Sequence, residues 1–169
     1  EIRKDYDSCT TLRETEENAS SGFYVISHGA SQVSVFCDMT VKNGIGVTII
    51  GHDSENRTKV SGYEEHGSYQ KNITYDLSME SIVAIINNSK HCEQFIKYEC
   101  HYNFLLTNSY GWWVSRQGEK MNYWGGAAVD SGKCACGMSN TCANGNQKCN
   151  CDAVLKELRE DSGYLNDTK

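Results

Sequence analysis

The sequence predicts an α+β domain with a twisted, mostly antiparallel sheet, one principal helix and a disulfide-rich C-terminal third. Three observations predict it. Apolar residues alternate with period two in several runs, one later run switches to helical period, and five cysteines crowd into eighteen residues near the end. At 169 residues the chain is about one domain, long enough to bury a core without relying on cross-links. It is therefore expected to fold as one unit over residues 1–169, with a bridged hairpin region at 9–60 and the helix, sheet and cysteine-rich loops at 61–169.

The N-terminal region reads as a hairpin behind a cysteine. "GFYVIS" and "QVSVFCDM" are β-rich runs around "HGAS", and Val33, Val35, Cys37 and Met39 alternate onto one face. Cys9 and Cys37 are 28 positions apart, a span suited to a bridge that pins the N-terminal segment to the hairpin. "GVTIIG" supplies a third strand, and the polar, aperiodic "HDSENRTKVSGYEEHGSYQKN" reads as a long loop or a set of short turns. In "SMESIVAIINNS", Met79, Ile82, Val83 and Ile86 fall at helical spacing behind Ser78 as N-cap.

"HCEQFIKYECHY" returns to period two, with Cys92, Gln94, Ile96, Tyr98, Cys100 and Tyr102 on one side. On a strand Cys92 and Cys100 sit roughly 26 Å apart, too far to bond, so their partners are expected in the late cluster. "GWWVSRQGEKMNYWGG" holds all three tryptophans, which read first as core and rim residues. Trp112, Trp113, Tyr123 and Trp124 also form a candidate interface, because aromatic residues are enriched in interface cores. "CDAVLKELREDSG" reads as a short helix with Asp152 as N-cap, Val154, Leu155 and Leu158 as its apolar stripe and Gly163 as its stop.

The cluster Cys134, Cys136, Cys142, Cys149 and Cys151 could be a metal cage, a redox site or a covalent staple. Zinc knuckles space their cysteines by two to four residues, whereas both close pairs here have one residue between them, no histidine lies nearby, and no Cys-x-x-Cys exists. Disulfides are the expectation. Nine cysteines is a density typical of an oxidising compartment; the count is odd, so at least one is free or joined outside this chain. Sequons at Asn18, Asn56, Asn72, Asn87 and Asn166 add a second sign of an extracellular location.

A net charge of −6 without a basic run argues against nucleic acid. No apolar stretch approaches the roughly 20 residues that cross a bilayer, so this fragment is not expected to insert in a membrane, and a secretion signal would lie outside it. The five histidines, His28, His52, His66, His91 and His101, are scattered, and no nucleophile elbow, metalloprotease motif, phosphate loop or calcium loop is present. The expectation is no catalytic residue, no metal and no cofactor.

"SGFYVISHGASQVSVFCDM" after "CTTL" resembles the opening of fibrinogen-like domains. "ITYDLSMESIVAIINNSKHCEQFIKYEC", "WWVSRQGEKMNYWGG", "CACG", "CNCDA" and "DSGYL" look like the fibrinogen-like module of the contactin-associated protein (Caspr, neurexin IV) family, over roughly residues 9–165. The resemblance implies a partial fibrinogen-like fold without the C-terminal subdomain that holds calcium and an acetylated-sugar pocket in the lectins. It also implies a non-enzymatic module of a type I plasma-membrane adhesion receptor. Its partners would be contactin-like proteins or neighbouring laminin-G and EGF-like modules. By the same resemblance Cys9 pairs with Cys37, and Cys92, Cys100, Cys134, Cys136, Cys142, Cys149 and Cys151 knit the late loops to the sheet, in pairs left open. Where that family carries prolines after "YWGG", this chain has "AAVD", which implies a more flexible loop. The rival reading is a secreted fibrinogen-related lectin, distinguished by calcium-dependent glycan binding.

Overall fold

In the computed structural model, residues 5–29, 31–152 and 156–167 are described. They fall into two compact units, Glu1–Lys59 with Lys71–Lys90, and Val60–Gln70 with His91–Lys169.

The first unit begins with a helix not among the elements expected from sequence, α1 (Cys9–Thr15), capped by the Ser8 side chain, which accepts from the Thr11 N–H. The predicted hairpin follows as β1 (Gly22–His28) and β2 (Ser31–Lys42), and β3 (Ile45–Ile49) completes an antiparallel sheet in the order β1-β2-β3. Val35, Cys37 and Met39 of the alternating face are buried, as the period of two requires. They pack with Cys9, Leu12, Ile26 and Ile85, and the Cys9–Cys37 disulfide lies inside this core. β3 can lie against α1 because Gly46 has no side chain: a Cβ there would come within 2.0 Å of the Cys9 carbonyl oxygen.

The long polar segment is a loop whose ends are tied at its base. Asp53 N–H donates to the Thr74 carbonyl and Asp76 N–H to Gly51, each at 2.9 Å. The Lys71 ammonium and the Thr74 N–H on the Asp53 carboxylate hold its pKa well below the usual range.

Helix α2 (Met79–Asn88) forms with Ser78 as its cap, as the sequence predicts, but its buried stripe differs. Ile82 and Ile85 are buried and Met79 is exposed. Ile85 joins the core of the N-terminal unit, so this helix belongs with that unit and not with the region after residue 61.

In the second unit β4 (Cys92–Cys100) runs antiparallel to β7 (Arg159–Asp167) in continuous register from Cys92 opposite Asp167 to Cys100 opposite Arg159. Between them lie a 3-10 turn at Thr107–Ser109, the two-residue strands β5 (Trp113–Val114) and β6 (Lys120–Met121), and α3 (Ala135–Ser139). The C-terminal helix expected from residue 152 does not form over its described residues, 156–163. Leu158 is exposed, and Gly163, read as a helix stop, sits mid-strand in β7. Val154 and Leu155 lie outside the described residues. β7 is a strand because β4 pairs with it and because the backbone of Gly125–Gly126 crosses it: a Cβ on Gly163 would meet the Gly125 carbonyl carbon at 2.5 Å. Asp152 does cap backbone, but backwards, accepting from the N–H groups of Lys148 and Cys149 at 2.9 Å.

Gly163→Ala should therefore lower unfolding stability by about 3 kcal/mol, since rigid backbone cannot yield to the added methyl. Gly22→Ala, whose Cβ would meet only the Tyr24 ring at 3.8 Å, should change it by less than about 1 kcal/mol; urea denaturation of both variants checks the contrast.

Candidate interaction site on the cross-linked unit

Three disulfides organise the second unit. Cys100–Cys151 ties the end of β4 to the late loop across 51 residues, Cys134–Cys149 spans 15, and Cys136–Cys142 closes a loop of 6 around α3. With Cys9–Cys37 these bonds take in every cysteine except Cys92, which is half-buried at the start of β4. The sulfurs of the late cluster are bonded in pairs. Cys134, Cys149 and Asp161 bring ligand atoms within 4.8 Å of one another, yet both sulfurs are consumed in a bond to each other and offer no thiolate.

The side chains around these bonds form the core of the unit: Cys100, Leu105, Trp124, Cys134, Cys149 and Cys151, with Ile96, Tyr98 and Trp113 against it. At its centre Asp161 is 3% exposed. Its carboxylate accepts from the backbone N–H groups of Asn150 at 3.0 Å and Cys151 at 2.8 Å, and its carbonyl accepts from the Trp124 indole at 3.1 Å. Burial raises its pKa above the ordinary aspartate value, against the two N–H donors that lower it. Asp161 thus fixes the cysteine-rich loop to β7. No sequence motif marks this role, because it depends on β7 being a strand whose inward face sets Gly163, Asp161 and Arg159 opposite Ile96, Tyr98 and Cys100 of β4.

On the surface of this unit a groove of about 550 Å³ opens between the Thr107–Ser109 turn, the β5–β6 hairpin and the Asn146–Lys148 segment. Trp112 forms one wall, and the Lys120 ammonium lies 3.8 Å from the centre of its ring, a cation–π contact worth about 0.5–1 kcal/mol at an exposed site. Asp152 closes the floor, bonded by the Thr107 hydroxyl. Of the four aromatics proposed from sequence, Trp112 lines this groove. Trp113 stands half-buried behind it, its indole donating to the Tyr123 carbonyl at 2.7 Å. Tyr123 and Trp124 are 8% and 6% exposed and serve the core. The groove therefore presents one aromatic face, flexible cationic chains and amides, a lining able to hold a flat apolar or mixed polar segment.

All five sequon asparagines, Asn18, Asn56, Asn72, Asn87 and Asn166, are exposed. Among the described residues no helix is long and apolar enough to cross a membrane.

A disulfide-bonded α+β scaffold carrying a surface groove is thus the class of protein that the geometry defines, and similarity to known proteins narrows it. The chain is 34% identical to Neurexin-4 of Drosophila melanogaster over 73% of its own length and 10% of that protein. It is 31% identical to Contactin-associated protein 1 of Homo sapiens over 94% of its own length and 12% of that protein. It spans about a tenth of the length of these curated relatives. No protein-family model matches. The chain is homologous to a segment of each, which supports kinship with the contactin-associated protein and neurexin family.

Two outcomes are expected of this unit. Replacing Cys100 and Cys151 together by alanine should cost about 4 kcal/mol, and replacing Cys136 and Cys142 about 2 kcal/mol, because the longer loop constrains the unfolded chain more; calorimetry of the two double variants checks the order. Asp161 supplies the pH dependence. Its folded pKa lies above the unfolded value, so the folded state holds the proton more tightly. Its contribution to stability rises as pH falls from above the folded pKa to about 3.9, and is lost as pH rises. Asp161→Asn should remove that component from the difference between melts at acid and neutral pH, and Asp161→Ala should cost about 2 kcal/mol or more at pH 7 by leaving two N–H groups unmet.

Proposed function

We propose that this chain is an extracellular, non-enzymatic module with a partial fibrinogen-like fold, part of a cell-adhesion receptor, serving scaffolding and protein recognition. The observation that carries this reading is the alignment with Contactin-associated protein 1 over 94% of the chain, since that protein's name records association with contactin. Four disulfides and five exposed sequons fit the secretory compartment such a receptor passes through. The whole chain acts as one module of a type I plasma-membrane protein, beside laminin-G or EGF-like neighbours, and binds a contactin-like protein.

The groove beside Trp112 is the binding surface. A half-buried tryptophan on a rigid, cross-linked support gives large contact area at little entropic cost, the property of interface hot spots. The covalent frame around it limits rearrangement on binding. No step in this role requires a metal, a cofactor or a catalytic group.

Surface plasmon resonance with immobilised contactin tests the reading on protein secreted from a eukaryotic host. Trp112→Ala should weaken binding about tenfold or more, a loss of about 1.4 kcal/mol, while lowering the melting temperature by only about 2–4 °C, the share of the lost Lys120 contact. Undiminished binding, or collapse of the fold, would remove Trp112 from the interface. Calcium-dependent binding on a glycan array, with none to contactin, would favour the secreted lectin instead.

A further inference from the structure

The outward face of the β4–β7 ribbon carries an exposed aromatic pair. Phe95 and Tyr164 are 52% and 50% exposed, stand directly opposite each other across the ladder, and meet edge to face with ring centres 5.4 Å apart. The next pair toward the strand ends on the same face is Glu93 opposite Asn166. Residues i and i+2 of a strand share a face at a spacing of about 6.6 Å, so Asn166 stands beside Tyr164 and diagonally from Phe95. The opposite face of the ribbon is held inward by Ile96, Tyr98, Cys100 and Asp161, so this direction is fixed by burial. Asn166 begins the sequence Asn-Asp-Thr and is exposed. Of the five sequon asparagines it alone lies on a strand; Asn87 is on α2 and the others lie in loops or turns.

We propose that Asn166 carries an N-linked glycan whose first N-acetylglucosamine packs on the Phe95–Tyr164 pair and covers it. Aromatic rings present a negative face, and the C–H groups on one side of a pyranose ring present weakly positive hydrogens, so the two surfaces attract while water leaves both. The strand holds the anchoring asparagine at one sugar-ring length from its platform, which keeps the ordering cost low. The glycan is thus a built part of this face. It turns an exposed apolar patch beside a strand edge into a solvated one and blocks pairing with other chains there.

This inference rests on the extracellular reading above, and the test separates the two. Protein from a eukaryotic secretory host is mapped for occupancy at each sequon by mass spectrometry, and wild type, Asn166→Gln, Phe95→Ser and the double variant are melted. Asn166 is expected to be occupied. Asn166→Gln should lower the melting temperature by about 2–4 °C in the wild-type background, and by less than about 1 °C when Phe95 is already serine. If Phe95→Ser is not secreted, trimming the wild-type glycans to a single N-acetylglucosamine should keep the melting temperature above that of Asn166→Gln. An empty Asn166 with other sequons filled overturns this inference and leaves the extracellular reading intact. Five empty sequons overturn both. Equal shifts in the two backgrounds, or a trimmed protein that melts with Asn166→Gln, overturn the contact.

Discussion

The covalent closure of the last third of the chain, with Cys100 bonded to Cys151 and Cys134 to Cys149, sets the conditions for everything around it. The chain between residues 101 and 152 has only short strands, short helical turns and loops, which cannot supply a continuous apolar face. The disulfides stand in for that face. Half-cystines occupy four of the six buried positions that define the core of the unit, and Trp124 and Leu105 fill the space between them. Loops tied in this way can hold buried backbone N–H groups in a fixed direction, and Asp161 is placed where two of them converge. A buried carboxylate is normally costly, but here it answers donors that would otherwise be unmet.

The same constraint positions the surface. Leu105 N–H bonds the Cys151 carbonyl at 2.8 Å, and Cys134 N–H bonds that of Lys148 at 3.0 Å, so both sides of the groove beside Trp112 hang from bridged residues. The near contact of Gly125 with Gly163 brings the turn after Trp124 onto β7, and the Gly126 N–H then reaches the Tyr164 carbonyl at 2.8 Å. One side of the ribbon is thereby committed to the core, and the other is free to display aromatic residues. A rigid frame with adaptable loops suits recognition, because little freedom remains to be lost on binding.

The first hairpin, the strand from Cys92 and the helix behind Ser78 were legible in the sequence because each is written in local period and capping chemistry. α1 had a readable signal in Ser8 that the eye passes over beside the cysteine. β7 was misread because the spacing of Val154, Leu155 and Leu158 imitates a helical stripe, while the cause of the strand, its pairing to β4 and the crossing at Gly163, is tertiary. The pairing of the late cysteines was not legible either, since bridges of 6, 15 and 51 residues are all allowed by sequence. Asp161 and the Lys120–Trp112 contact likewise exist only once distant segments meet.

The most direct test of this account is a non-reducing peptide map of the secreted protein, using cleavage or fragmentation between Cys134 and Cys136 and between Cys149 and Cys151. The account predicts Cys9–Cys37, Cys100–Cys151, Cys134–Cys149 and Cys136–Cys142. A different pairing in the late cluster, or reduced thiols holding a metal there, would contradict it.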